Sequence, residues 1–251
     1  AFQVLVGTDI KVNQTYRGPL LKTIEQIAES FKPWNPGTEL TVGLFSSVVP
    51  EFDERAFREA LVNAFGHRDY SLLGRVRVLV DDAGLTIANP GGFVEGINVH
   101  NLLTAEPRGR NPCLMDALKR TGLAERTGRG IDRIFEGALN YGRPLPDYSR
   151  SNRRGVSVLL PRSVPDKAFV ELLAEERERS GKSMSLDGLL ILDKLKSERR
   201  CGFDVLSGSL DMSDQRLRTV LGQLTEAGLV ESAGVGARRT YMLGAKVYRR
   251  S

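Results

Sequence analysis

The sequence predicts an α/β chain in two parts, and three observations carry that prediction. Strand-like and helix-like runs alternate through residues 1–162. From Leu186 onward the pattern changes to three short helices followed by two strand-like pieces. A charged helical stretch lies between, which sets expected boundaries at 1–162, 163–185 and 186–251.

The elements follow from period and punctuation. Alternation in F-Q-V-L-V predicts a strand, Gly18-Pro19 a turn, and L-L-K-T-I-E-Q-I-A-E-S-F a helix. L-T-V-G-L-F-S-S-V-V leans to β, and Pro50-Glu51 leads into a helix over residues 55–70. R-V-R-V-L-V, the turn D-D-A-G and L-T-I-A read as a hairpin that runs into Asn89-Pro90-Gly91-Gly92, where proline is expected to end the ladder. Asn111-Pro112 looks like an N-cap and first helical position. T-G-R-G precedes another amphipathic helix, and R-G-V-S-V-L-L-P is expected to close the sheet.

Composition excludes several classes. The apolar share is 41% and the charged share 27%, ordinary values for a globular protein. No run is apolar for long enough to span a membrane, and the start lacks a basic leader. The first residue is not Met and a strand-like run begins at once, so a piece of a longer protein, or a processed form, is expected. Cys113 and Cys201 lie far apart without metal-ligand spacing, which predicts a reducing cytoplasm. The net charge of +5 is uneven: Lys and Arg outnumber Asp and Glu 12 to 6 over 105–162 and 11 to 6 over 194–251. A basic terminal block suits a polyanionic partner.

Residues 55–70, R-A-F-R-E-A-L-V-N-A-F-G-H-R-D-Y, carry the most chemistry. Glu59, Asn63 and His67 fall at i, i+4 and i+8, one polar stripe of a helix. A carboxylate, an amide and an imidazole in line can accept a proton, ligate a metal or phosphate, or hold one another. The same stripe would also serve as a plain solvated face. Asp69 is expected to hold Arg68 or His67 at the helix end. Gly128 and Gly130 flank Arg129 before Ile131, an arrangement that crowds backbone N–H groups around an anion, with Thr127 or Arg126 as a further donor. Arg108, Arg110 and Asn111 suit a phosphate or a neighbouring carboxylate equally well.

The order of three pieces, E-x-x-x-N-A, then N-P-G-G, then G-x-G before a helix, resembles the ATP-binding sandwich of gyrase, MutL and sensor histidine kinases, the GHKL type. At finer grain, E-A-L-V-N-A-F-G-H-R-D-Y-S, I-A-N-P-G-G-F, R-G-R-N-P-C-L and G-L-A-E-R-T-G-R-G-I-D-R-I are similar to the RecG-helicase-like C-terminal module. That module occurs in bacterial and archaeal transcriptional regulators, usually after a Schlafen-type AlbA domain, of which these residues show no part. The resemblance implies an α+β two-layer fold over 1–162 that holds ATP and magnesium. It assigns Glu59 as general base, Asn63 as magnesium ligand, and His67, Asn89, Gly91, Gly92, Thr127, Gly128, Arg129 and Gly130 to the nucleotide. One departure matters: the family's adenine-binding Asp is replaced by Ala88 or Asn89, and only an asparagine carbonyl could accept the adenine amino group. A weakened nucleotide site, or a retired ATPase fold kept as a scaffold, is therefore expected. No Walker loop is present.

In the C-terminal part, a helix, the turn Asp211-Met212-Ser213 and a second helix read as a helix–turn–helix with Ser213 as N-cap. Leu217, Val220, Leu221 and Leu224 form its buried stripe, leaving Gln215, Arg216, Arg218, Thr219 and Gln223 outward. Such side chains read base edges in a major groove. G-L-V-E-S-A-G-V-G-A-R-R-T-Y-M-L then resembles the hairpin of winged-helix transcription factors, with Arg238 and Arg239 placed for phosphate or minor-groove contact. The expected function is a duplex-DNA-binding regulator, dimeric on a palindromic site, that senses a nucleotide or a partner. An active ATP hydrolase and a ligand-free assembly scaffold are the alternatives.

Overall fold

Strand β1 (Phe2–Val6) alternates, and the register carries its pattern across the neighbouring strands β5 (Arg77–Asp81), β6 (Gly84–Pro90) and β7 (Gly155–Pro161). Phe2 faces Val78, Val78 faces Ile87 and Ile87 faces Val158. The next row is Val4, Val80, Leu85 and Leu160. All eight side chains are buried. Each such burial is worth roughly 1.5–3 kcal/mol before entropy is charged against it. A register slip of one residue would expose both rows, so the alternation fixes the pairing. The computed structural model describes residues 1–42, 45–124 and 128–248.

The sheet is mixed, in the order β2-β1-β5-β6-β7, with only β1 and β5 parallel. Its outer strand β2 (Asp9–Gln14) went unread in the sequence, because it is exposed almost throughout and buries no apolar side. Helix α1 (Leu20–Phe31) buries Ile24, Ile27 and Phe31 at helical spacing. The β-leaning stretch after it is two strands, β3 (Gly37–Val42) and β4 (Phe45–Pro50), paired as a separate ribbon. Helix α2 (Glu54–Gly66) starts at Asp53, whose carboxylate accepts from the backbone N–H of Arg55 and of Ala56, both at 2.9 Å. Phe57 of α2 stacks on Phe31 of α1 with ring centroids 4.1 Å apart.

Two local expectations are corrected, and a third holds. Pro90 is the last residue of β6 and of its ladder, where it pairs with Gly155, and its carbonyl accepts from Asp69 N–H at 2.8 Å. Proline lacks only the donor, and this position uses the acceptor. Asn111 precedes α3 (Pro112–Arg120) but makes no side-chain cap. Its amide donates instead to the carbonyls of Gly66 and Arg68, at 2.9 and 2.8 Å, tying the start of α3 to the end of α2. Asp69 holds neither Arg68 nor His67; it accepts from Ser71 and pairs with Arg110 at 3.5 Å. Arg68 lies over the Tyr70 ring and donates to the carbonyls of Leu72 and Gly74.

Helix α4 (Gly130–Leu139) completes the elements before β7. The chain divides into two compact units, the first over Ala1–Thr41, Phe45–Ala138 and Arg143–Val164, the second built chiefly on Pro165–Ser251. In the second, α5 (Lys167–Ser180) is capped by Asp166 and closed by Gly181 in the left-handed region. Helix α6 (Leu186–Glu198) buries Leu189, Ile191, Leu192 and Leu195. Then come β8 (Arg200–Gly202), α7 (Phe203–Leu210), α8 (Asp214–Glu226), β9 (Val230–Ala233), β10 (Thr240–Leu243) and the short α9 (Ala245–Tyr248). The three strands form an antiparallel sheet in the order β8-β10-β9. Strand β8 is three residues long and carried no period to read. Both cysteines are free. Among the described residues no helix is long and apolar enough to cross a membrane.

Candidate functional site

Helix α2 is buried along most of its length, and its polar stripe is walled in rather than solvated. Glu59 is 2% exposed, in a helix that also buries Ala56, Phe57, Ala60, Leu61, Val62 and Ala64. The stripe faces a cavity of about 530 Å³ in the first unit, and Glu59, Asn63 and His67 all line it. Strands β6 and β7 contribute Ile87, Asn89, Val156 and Val158. Helix α3 adds Met115, Asp116 and Lys119, and the start of α4 adds Gly130, Ile131 and Asp132. Residues between Gly92 and Gly109 supply a largely apolar wall through Phe93, Val94, Ile97, Leu102 and Leu103. A concave, mostly apolar chamber with a few convergent polar groups is the usual form of a small-molecule site.

Most of the residues singled out for a nucleotide meet here. Glu59, Asn63, His67, Asn89, Gly92, Gly128 and Gly130 all line the cavity, from segments up to 71 positions apart in the numbering, Glu59 to Gly130. Gly130 sits so close to α2 that a Cβ there would fall 2.9 Å from Glu59 Oε2 and 3.8 Å from Asn63 Nδ2. Any side chain would displace the carboxylate. Two residues lie off the wall. Gly91, at φ +92°, is held behind it, where a Cβ would strike Asp69 at 2.6 Å. Arg129 turns to the acids of α4, which it immediately precedes, 3.2 Å from Asp132 and 3.5 Å from Glu136. Thr127 lies outside the described residues, as does Arg126.

Electrostatics sharpen two positions. Burial, reinforced by the nearby Arg110 guanidinium, lowers the His67 pKa, so its imidazole is neutral near neutral pH. Ser71, through its hydroxyl and its backbone N–H, lowers the Asp69 pKa, and Arg110 and Arg68 add to that. Arg110 also donates to the carbonyl of Gly92 at 2.9 Å, which fixes the edge of the cavity wall. Asn89 is 6% exposed, and its amide nitrogen donates to the carbonyls of Pro90 and Gly91 at 3.1 and 3.4 Å. That orientation leaves its oxygen as the acceptor. Ala88 is half-buried and does not line the cavity, so Asn89 is the residue at the departed position.

Sequence reading missed Tyr148 and Lys119, which also line the cavity. Tyr148 belongs to no periodic run, and its only signal was the turn-forming P-D-Y-S before β7.

In the second unit, α8 buries Leu217, Val220, Leu221 and Leu224. Gln215, Arg216, Arg218, Thr219 and Gln223 are exposed, as are Arg238 and Arg239 between β9 and β10. Two of these arginines are already held. Arg216 forms a fork on the Asp187 carboxylate, with Nη2 to Oδ1 at 2.7 Å. Arg218 stacks over the Phe203 ring, 4.3 Å from its centroid.

The mixed sheet with its helices fits an ATPase-like α+β fold, and a family model matches part of it. Residues 74–160 match the family described as "Putative ATP-dependent DNA helicase recG C-terminal". The matched span covers β5 to β7 with Asn89 and Gly130, but not the α2 stripe. Among solved structures, the DIP2311 protein of Corynebacterium diphtheriae superposes with a TM-score of 0.80 over 99% of this chain, at 22% identity. This chain spans about half of that protein, 52% of its length. No curated protein matches the sequence.

Proposed function

We propose that this chain is a DNA-binding transcriptional regulator of the cytoplasm. Its first unit senses a nucleotide or a partner, and its second binds duplex DNA. The observation that carries the sensing half is the single cavity that collects Glu59, Asn63, His67, Asn89 and Gly130. In this reading the Asn89 oxygen accepts from the base, and backbone N–H groups at Gly128 and Gly130 receive phosphate at the start of α4. The donor set fits magnesium modestly: Asn63 offers an amide oxygen, a ligand suited to a hard cation. Among the described residues no cluster of three His, Cys, Asp or Glu offers a stronger cage. An uncharged acceptor in place of a carboxylate predicts weak nucleotide binding.

The second unit runs helix, strand, helix, helix, strand, strand, the order of a winged helix. In this reading α8 enters the major groove while Arg238 and Arg239 reach the flanking backbone or minor groove. Two chains paired as a dimer would present two copies of α8 to a palindromic site.

One observation favours a second reading, ATP hydrolysis: Glu59 and Asn63 line the cavity beside Gly130. When bound, ATP supplies the phosphoanhydride; Glu59 would take the proton of an attacking water. Calorimetry with ATP and magnesium tests the sensor, and absence of binding at millimolar nucleotide overturns it. Glu59→Ala should abolish any turnover while leaving binding near normal. An electrophoretic shift with random duplex at two salt concentrations tests the reading head. Arg238→Ala with Arg239→Ala should lower the log–log salt slope by about 2. Binding that is absent or indifferent to salt would favour an assembly scaffold.

A further inference from the structure

Two tyrosines of this protein, Tyr70 and Tyr16, satisfy their hydroxyls within the chain. Tyr70 donates to the carbonyl of Phe65 at 3.1 Å, and Tyr16 meets Ser30 at 2.5 Å. Tyr148 differs. It is 8% exposed, lines the cavity, and has no hydrogen-bond partner for its hydroxyl among the described residues. The ring is buried while its oxygen opens onto the cavity and not into the packed interior. Burial also raises its pKa, so the group is a neutral O–H that can both donate and accept.

The ring is held firmly. It stacks on Phe135 at 6.4 Å with planes 8° apart and tilts against Phe93 at 6.3 Å. Its backbone is pinned on both sides: Asp147 exchanges two hydrogen bonds with Leu159 of β7, at 2.8 and 2.9 Å, and Ser151 N–H reaches the Tyr148 carbonyl at 2.9 Å. The Asp147 carboxylate closes the turn on Ser149. The surrounding sheet floor is apolar except for Asn89. A rigid hydroxyl that opens into a largely apolar chamber is available to a guest.

We propose that the Tyr148 hydroxyl is a ligand-contacting group that reads the edge of the heterocycle of a nucleotide held in this cavity. The inference rests on the nucleotide reading of the site and adds a specificity residue to it. The test is calorimetry of wild type and Tyr148→Phe with magnesium-ATP. A panel of 1-deaza-, 3-deaza- and 7-deaza-ATP and purine riboside triphosphate follows. The variant removes one oxygen, and its melting temperature should match wild type or exceed it. It should bind ATP about tenfold more weakly. The loss should vanish for the one analogue that lacks the atom met by the hydroxyl. Equal ATP affinity in both proteins, or the same loss across every analogue, would overturn the role of Tyr148 and leave the site standing. Wild type that binds none of these nucleotides would overturn the site and Tyr148 with it.

Discussion

Helices α2 and α8 are both 13 residues long, both capped by a side chain at their N-terminus, and both carry a polar stripe opposite an apolar one. Their surroundings are opposite. The α2 stripe faces a cavity, with Glu59 at 2% exposure, whereas Gln215, Arg218, Thr219 and Gln223 of α8 face solvent. A polar stripe that opens onto an apolar-walled chamber offers a few convergent groups, so it suits a small guest. A stripe in water costs nothing to maintain, so it suits a large partner that brings its own surface. Equal amphipathicity in a sequence therefore does not distinguish an internal site from an external one.

The contrast can be broken most sharply through stability. Phe57→Ala in α2 removes a ring stacked on Phe31 and should cost about 3–5 kcal/mol in urea unfolding. Arg218→Ala in α8 loses only an exposed stack on Phe203 and should cost at most about 1 kcal/mol. Comparable losses would mean that α8 is not a surface helix.

Next in size is ligand affinity. Gly130→Val places carbon beside the Glu59 carboxylate and should weaken nucleotide binding by more than about tenfold, with duplex binding unchanged. Undiminished calorimetric heat would show that the start of α4 is not on the ligand's path. A smaller change is expected at α8, where Asp187 occupies the Arg216 fork that a phosphate would use. Asp187→Asn should tighten duplex binding by about threefold in a gel-shift titration. Weaker binding would mean that the ion pair positions Arg216 for contact instead of withholding it.

The smallest effect is a pH dependence. The folded-state pKa of His67 lies below its unfolded value near 6.5, so the unfolded chain takes up the proton first. Its contribution is fully present above about pH 6.5 and is lost as pH falls through the unfolded value toward the folded one. His67→Gln should flatten that part of the urea-midpoint profile between about pH 8 and pH 5.5. An unchanged slope would place the imidazole in water and reopen α2 to solvent.

Much of this was legible in the chain, and for definite reasons. Alternation in β1, β5 and β7 reports two apolar rows, and the 3.6-residue period of α1, α2 and α8 reports their buried sides. The glycines near α4 announced a close approach, which the space between Gly130 and Glu59 requires. Other features left no trace because they depend on partners distant in sequence. Asn111 looked like a cap, yet its amide is used by carbonyls more than forty positions earlier. Arg129 looked like a phosphate ligand, yet carboxylates three and seven residues later hold it. Tyr148 stood in a turn without period, and only the assembled sheet gives its hydroxyl a cavity to line. Asn89 was readable as the replacement for an acid, but not the two carbonyls that orient its amide.

The two margins of the five-stranded sheet are treated differently. Beside β7, residue 147 forms an isolated bridge with Leu159 and shields that rim. Strand β2 has no such cover among the described residues, and its bare donors and acceptors would welcome another strand. Its defence is ionic: Asp9 and Lys11 stand along it as an exposed pair 3.2 Å apart. Neutralising both would turn a solvated border into an adhesive one, and the sheet could then grow from molecule to molecule.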